Sequence, residues 1–251
     1  MKPITLLATA AAILTASACN ADKGANANAA GADVQVTAKP VAAPNNGDWS
    51  TIVRQTPEGG FLMGNPDAKV KLVEYGSLTC PHCAEFEEKG GKPLIDNYVK
   101  KGLVSFEFRN FVRDPYDITA ALIARCGGTA SFFGLTRAFY AEQKEWIGKI
   151  QSADPAAMQA LQSQPPQTQF KTIADMAGFP AFAALRGVPK AKTDACLADQ
   201  AAASQLVQMN SDAVANYNLA GTPTFIINNE TLENTASWDA LEPQIKKALN
   251  S

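Results

Sequence analysis

The order of apolar patterns along the chain predicts an α/β fold with a helical block set into it. Three observations carry that prediction. Strand-like apolar patterns at residues 69–75 and 103–112 flank a helical stretch. Residues from about Asp117 to Asn218 place their apolar side chains at helical spacing. A strand, a tight turn, a strand and a helix close the chain from residue 221. Strand, helix and strand with a short return form a βαβ unit, which implies parallel pairing and a right-handed crossover. The element order is therefore βαβ, helices, then ββα.

At the N-terminus, "MKPITLLATAAAILTASAC" has one lysine, an apolar run and small residues before Cys19. The run is too short to span a bilayer and reads as a secretory signal over residues 1–19. Ala16-Ser17-Ala18 suits ordinary cleavage. The same residues resemble a bacterial lipobox, with Ala16 where leucine is usual, in which Cys19 becomes a lipidated first residue. Of the five cysteines, lipidation of Cys19 leaves four, an even number for an oxidising compartment. Residues 20–48 are rich in Ala, Asn and Gly and hold no aromatic side chain. They bury too little apolar area to offset their ordering entropy, so a disordered tether is expected, with folding from near Trp49 and a domain over 49–251.

After the turn-rich "PEGGFLMGNPDA", "KVKLVEY" alternates and then runs apolar, as a central strand does. In "CAEFEEKGGKPLIDNYVKKG" the helix face is Phe86, Leu94, Ile95, Tyr98 and Val99, and Gly90-Gly91 with Pro93 predicts a kink or break. "LVSFEFRNFV" is the second strand. Within the helical block, Phe132, Phe133, Leu135, Phe139 and Tyr140 are expected in the core, as are Leu197, Leu206, Val207, Met209 and Val214. "SQPPQTQ" (163–169) reads as a polar loop. "GTPTFIINNETL" predicts a strand, a turn at Asn228-Asn229 and a return strand. In the last helix Ser237 suits the N-cap, and Lys246 and Lys247 sit in the last turn.

A net charge of −2 and 18% charged residues leave no electrostatic footprint for nucleic acid, and no basic run suits an acidic membrane surface. The chemistry rests on "VEYGSLTCPHCAEF" (73–86), which holds two cysteines and the chain's single histidine. Structural zinc needs four ligands, and only Cys126 and Cys196, far apart, remain to join Cys80 and Cys83. His82 is too close to both thiols to serve easily as a third ligand. Nor can it approach Cys80 as the separate base of a cysteine protease. A purely structural Cys80–Cys83 bridge constrains little of the unfolded chain. A redox pair explains more. At a strand-to-helix junction the first sulfur meets unpaired backbone N–H groups and the positive end of the helix dipole. Thiolate is the reactive form, so Cys80 is the expected attacking sulfur and Cys83, one turn in, the resolving thiol. Pro81 suits the first helical position. His82 is expected to donate to the Cys80 sulfur or add charge beside it. No metal or other cofactor is expected.

CPHC after a strand, a helical insertion, and "GTPTF" ahead of the last hairpin resemble the DsbA family of the thioredoxin superfamily, extracytoplasmic thiol–disulfide oxidoreductases. The likeness runs from about Gly64 to the C-terminus. It implies a thioredoxin-like fold with an inserted helical domain at about 115–218. It also implies nucleophilic Cys80, resolving Cys83, Pro81-His82 as the dipeptide that stabilises the reduced form, and Pro223 as a cis-proline facing the disulfide. Thr222 then offers its backbone to an extended peptide. Glu74 matches the acidic residue buried beneath the second thiol, where burial raises its pKa for proton shuttling. Cys126 and Cys196, both in the inserted block, are read as a structural disulfide, with a redox relay as the alternative.

The implied activity is disulfide formation in exported proteins within the periplasm, from a domain either lipid-tethered or soluble. Its partners are reduced or misoxidised exported proteins and a membrane redox protein that reoxidises the pair. Direction is open on one residue. CPHC favours an oxidase, yet Thr222 stands where the best-known oxidases carry valine, which favours an isomerase or reductase. The tether looks unsuited to dimerisation, so a monomer is expected. The non-enzymatic alternative is a zinc-binding or chaperone-like module.

Overall fold

The computed structural model describes residues 35–44 and 47–251. The signal segment, Cys19 and the first part of the expected tether lie outside the described residues.

A six-stranded sheet is built from β1 (Val53–Gln55), β2 (Phe61–Met63), β3 (Val70–Gly76), β4 (Val104–Asn110), β5 (Thr224–Ile227) and β6 (Glu230–Thr231), in the order β1-β2-β4-β3-β5-β6. Only β3 and β4 pair in parallel, in register from Val70 opposite Val104 to Gly76 opposite Asn110; the other neighbours are antiparallel. The β3–β4 pair is the predicted βαβ unit. Its crossover starts as α1 (Pro81–Phe86) and runs on through α2 (Lys92–Leu94) to Val99. The short β1 and β2 were not legible. Three apolar residues, Phe61 to Met63, sit among turn signals, and β1 alternates too briefly to register a period.

The predicted break in the crossover helix does not occur. Two π-helical turns, Glu87–Gly91 and Ile95–Val99, absorb the irregularity and the backbone stays helical from Pro81 to Val99. Gly90 has a packing role there: a Cβ would stand 2.9 Å from Trp238 and 3.0 Å from Phe86. Glycine lets the closing helix approach closely.

The inserted helices are α3 (Pro115–Cys126), α4 (Phe132–Ala141), α5 (Gln143–Gln151), α6 (Pro155–Gln162), α7 (Pro166–Ala177), α8 (Phe179–Ala184), α9 (Lys190–Ala198) and α10 (Gln200–Tyr217). Phe132, Phe133, Leu135, Phe139 and Tyr140 are buried, as are Leu197, Leu206 and Met209. Val207 and Val214 are half exposed, which corrects their expected place in the core. The stripe they belong to is narrower than their hydrophobicity suggests. The loop expected over 163–169 is also shorter, because Pro166 occupies the first position of α7, where a missing N–H costs nothing.

Even-numbered β3 residues face one large core with Phe86, Phe106, Phe108 and Phe225. Tyr75 and Ile226 face the other side, against Ala213 of α10 and Leu219. The turn between β5 and β6 places Asn228 at φ 50° and Asn229 at φ 72°, both left-handed, as a two-residue hairpin requires. α11 (Trp238–Asn250) closes the chain, with Ser237 Oγ accepting from Ala240 N.

The tether expectation needs correcting over its described part. Residues 35–44 are docked rather than loose. Asn250 takes hydrogen bonds from Thr37 N and Oγ1 at 2.9 Å and gives one to Gln35 O at 2.8 Å. Val41 N donates to Lys101 O, and the Trp49 indole donates to Val41 O, both at 2.9 Å. Composition misled here because a few backbone groups and one asparagine hold the strap, with Val36 and Ala38 adding modest apolar contact.

Candidate active site

β3 ends at Gly76, and residues 77–79 turn the chain into α1. Cys80 is the N-cap, extended at φ −82° and ψ 121°, and its carbonyl accepts the first helical bond from Ala84 N at 3.2 Å. Pro81 takes the first helical position. Cys83, one turn in, is fully buried. Cys80 is buried too, and both are free thiols. The helical insertion brings the chain back so that the cis Thr222–Pro223 bond faces the pair, and Cys80 Sγ donates to Thr222 O at 3.2 Å.

The two sulfurs are driven in opposite directions. The Cys83 thiol hydrogen-bonds the Cys80 sulfur and holds Cys80 down to about 5 against the opposing effect of burial. The backbone N–H groups of Cys83 and His82 reinforce it. Cys83 is pushed well above an ordinary thiol, chiefly by burial, with its hydrogen bond to Cys80 and the charge of Glu74 adding. At neutral pH the pair therefore holds one thiolate, on the sulfur nearer the surface.

His82 differs from expectation. Its side chain is 72% exposed, with Nδ1 3.7 Å from Glu85 Oε2. Its help to Cys80 comes through the backbone N–H, which any residue but proline supplies. Glu74 is buried on β3 between β4 and β5, not at a sheet edge. Burial first, then the negative charges of Glu87 and Cys80, raise its carboxyl well above the usual range, and its Oε1 has no partner among the described residues. Glu74 also acts electrostatically on Cys83.

Other groups at the site gave no sequence signal. Glu87, on the crossover helix, is pushed up to about 7 by burial against the pull of Arg137, whose Nε lies 3.3 Å from it. Tyr140 is buried with its hydroxyl unpartnered among the described residues, and a Cβ on Gly76 would come within 2.9 Å of that oxygen. Asp117 and Gln143, from the insertion, reach the loop before Cys80. In the sequence they look like an N-terminal helix carboxylate and a surface amide, and no spacing rule marks them.

Cys126 and Cys196 form a disulfide across 70 residues, joining α3 to α9. That leaves only Cys80 and Cys83 for any thiolate metal site among the described residues.

A parallel βαβ start, a paired-thiol N-cap, a facing Thr-Pro and a helical insertion define a thioredoxin-fold protein with a dithiol site. The family model described as thioredoxin matches residues 56–247. The chain belongs to the thioredoxin family, in the DsbA-like branch whose helices interrupt the fold. A solved structure of a protein-disulfide isomerase from Novosphingobium aromaticivorans is 40% identical, with a TM-score of 0.73 over 77% of this chain and 98% of that one. The alpha-DsbA1 of Wolbachia pipientis shares the fold at 21% identity and a TM-score of 0.60, covering 75% of this chain and 90% of its own. A Rickettsia bellii relative, named as a candidate protein-disulfide oxidoreductase, is 25% identical over 193 residues, 76% of this chain. The chain spans 65% of that relative's length, just under two thirds.

Proposed function

We propose that this protein is an extracytoplasmic thiol–disulfide oxidoreductase that forms disulfides in exported proteins through Cys80 and Cys83. One observation carries the reading: an acidic Cys80 sulfur at a helix start, beside a buried thiol held in its protonated form. A substrate thiolate attacks Sγ of Cys80 in the oxidised pair, forming a mixed disulfide and releasing Cys83 as a thiolate that must take a proton. Glu74 is the nearby group suited to hand it over. A second substrate thiolate then attacks the substrate sulfur, forming the new disulfide and expelling Cys80 as a thiolate. The low pKa of Cys80 makes it the better leaving group. The substrate loses two electrons and the Cys80–Cys83 pair gains them.

Thr222, whose carbonyl already meets Cys80 Sγ, is the backbone an extended substrate would pair with. Reoxidation requires an electron acceptor, and a membrane redox protein is the proposed one. The proposed setting is the periplasm, with a monomer tethered through lipidated Cys19. No helix among the described residues is long and apolar enough to cross a membrane. His82 and Pro81 are assigned to favouring the reduced form, and Pro223 to shaping the substrate edge.

A second reading has specific support. Thr222 replaces the valine usual in strong oxidases, and the 40% identical structure is described as an isomerase. The two are separated by giving the purified protein a reduced peptide with two cysteines and, separately, a scrambled disulfide protein. Fast oxidation of the peptide with poor unscrambling supports the oxidase. The reverse supports the isomerase. Activity in either assay that survives Cys80→Ser excludes both.

A further inference from the structure

We propose that Asp117 and Gln143, both from the helical insertion, are positioning residues that set the reactivity of Cys80 by clamping the loop that carries it. The inference rests on the thiol-exchange reading and assigns part of the control of that site to the inserted domain.

The loop from Ser77 to Cys80 has little regular structure of its own. Its one internal backbone bond runs from Cys80 N to Ser77 O at 3.1 Å. Yet most of its other polar groups are held, chiefly by Asp117 and Gln143. Asp117, fully buried, accepts from Ser77 Oγ at 2.5 Å and Leu78 N at 2.9 Å, and from Arg113 N at 3.1 Å. Asp117 is itself fixed, because its own N–H donates to Asp114 Oδ1 at 2.8 Å at the start of α3. Gln143, the buried first residue of α5, gives one amide nitrogen to two carbonyls, Leu78 O at 2.8 Å and Cys80 O at 2.9 Å. Arg113 Nη2 completes the set on Thr79 O at 3.1 Å.

This clamp bears on the chemistry through position. Cys80 is an acidic thiol only while its sulfur stays beside the Cys83 thiol, Thr222 and the N–H groups at the start of α1. Ser77 also contributes a backbone hydrogen bond to the Cys83 sulfur, so displacing the loop disturbs both thiols. A buried acceptor facing three donors, and a buried donor facing two acceptors, leave the loop one arrangement. Removing either leaves desolvated groups without partners, which the loop relieves by shifting.

The test is the ultraviolet titration of the Cys80 thiolate in full-length protein carrying Gln143→Leu or Asp117→Asn, with denaturant unfolding in parallel. Gln169→Leu is the control, since Gln169 makes a similar amide-to-carbonyl bond, to Leu161 O at 3.1 Å, wholly inside the insertion. The expected result is a midpoint raised by about one pH unit, tenfold in ionisation constant, in each clamp variant and unmoved in the control. If Asp117→Asn does not fold, Gln143→Leu decides. A folded Gln143→Leu protein with the wild-type midpoint overturns the proposal, as does an equal shift in Gln169→Leu. An ordinary thiol midpoint in the wild type overturns the thiol-exchange reading, and this proposal with it.

Discussion

Acidifying the protein from pH 8 to pH 4 should change how its reduction potential depends on pH. In the reduced fold Cys80 ionises at about 5, against 9.0 for an ordinary thiol. A depressed folded pKa stabilises the reduced fold increasingly as pH rises above 5, and the gain is complete above 9. It is lost as pH falls through 5. At pH 7 two of those four decades count, about 2.7 kcal/mol and less after solvent screening at the mouth of the site. On the two-electron scale that is about 60 mV towards an oxidising pair. The pH slope is the sharper signature. Below 5 reduction takes up two protons, so the potential should fall by about 60 mV per pH unit; above 5 it takes up one, and the slope should halve to about 30 mV. Equilibration with glutathione buffers, acid quenching and mass spectrometry of alkylated thiols would measure it. An unbroken slope near 60 mV from pH 4 to pH 8 would show that Cys80 is not ionised, and the argument for its role would fail.

Other outcomes are expected from the same structure. Replacing Cys126 and Cys196 together by alanine removes closure of a 70-residue loop. Denaturant melts should show a loss of up to about 4 kcal/mol while the Cys80 titration stays in place, and unchanged stability would contradict a structural role. Glu74→Gln removes a carboxyl whose folded pKa is raised. The wild type therefore loses stability as pH rises above 4.5, so the variant should be the more stable form at pH 8 and close to wild type at pH 4. Equal offsets at the two pH values would argue against a perturbed carboxyl. Asn250→Ala should free the strap at residues 35–44, read as faster hydrogen exchange at the Thr37 and Val41 amides with unchanged thiol exchange. Exchange at the wild-type rate would mean that the asparagine does not hold it.

The fold was largely legible where the signal was local and periodic. The β3 run, the second strand, the Asn228-Asn229 turn and the Ser237 cap each announce themselves within a few residues, and CPHC with Thr222-Pro223 marks the site. Signals that depend on tertiary partners were not legible. Gly90 beside Pro93 predicts a break until Trp238 is there to explain the glycine. Asp117 looks like a helix-start carboxylate until Ser77 and Leu78 arrive from 40 residues away. His82 invites a direct role because it is the single histidine in a reactive motif, yet its ring faces solvent and Glu85. The strap was misread because hydrogen bonds to a side chain 213 residues distant leave no mark in composition.

That strap also gives the molecule a polarity. It meets the domain beside Lys101 and Asn250, at the end of the sheet where β3 and β4 begin, whereas the thiols lie past the end where β3 stops. Seven residues of strand separate the two poles, on the order of 20 Å. The first described residues thus dock at the end of the domain away from the thiols. A pull on the strap falls on Asn250 and Lys101, not on the loop that carries Cys80.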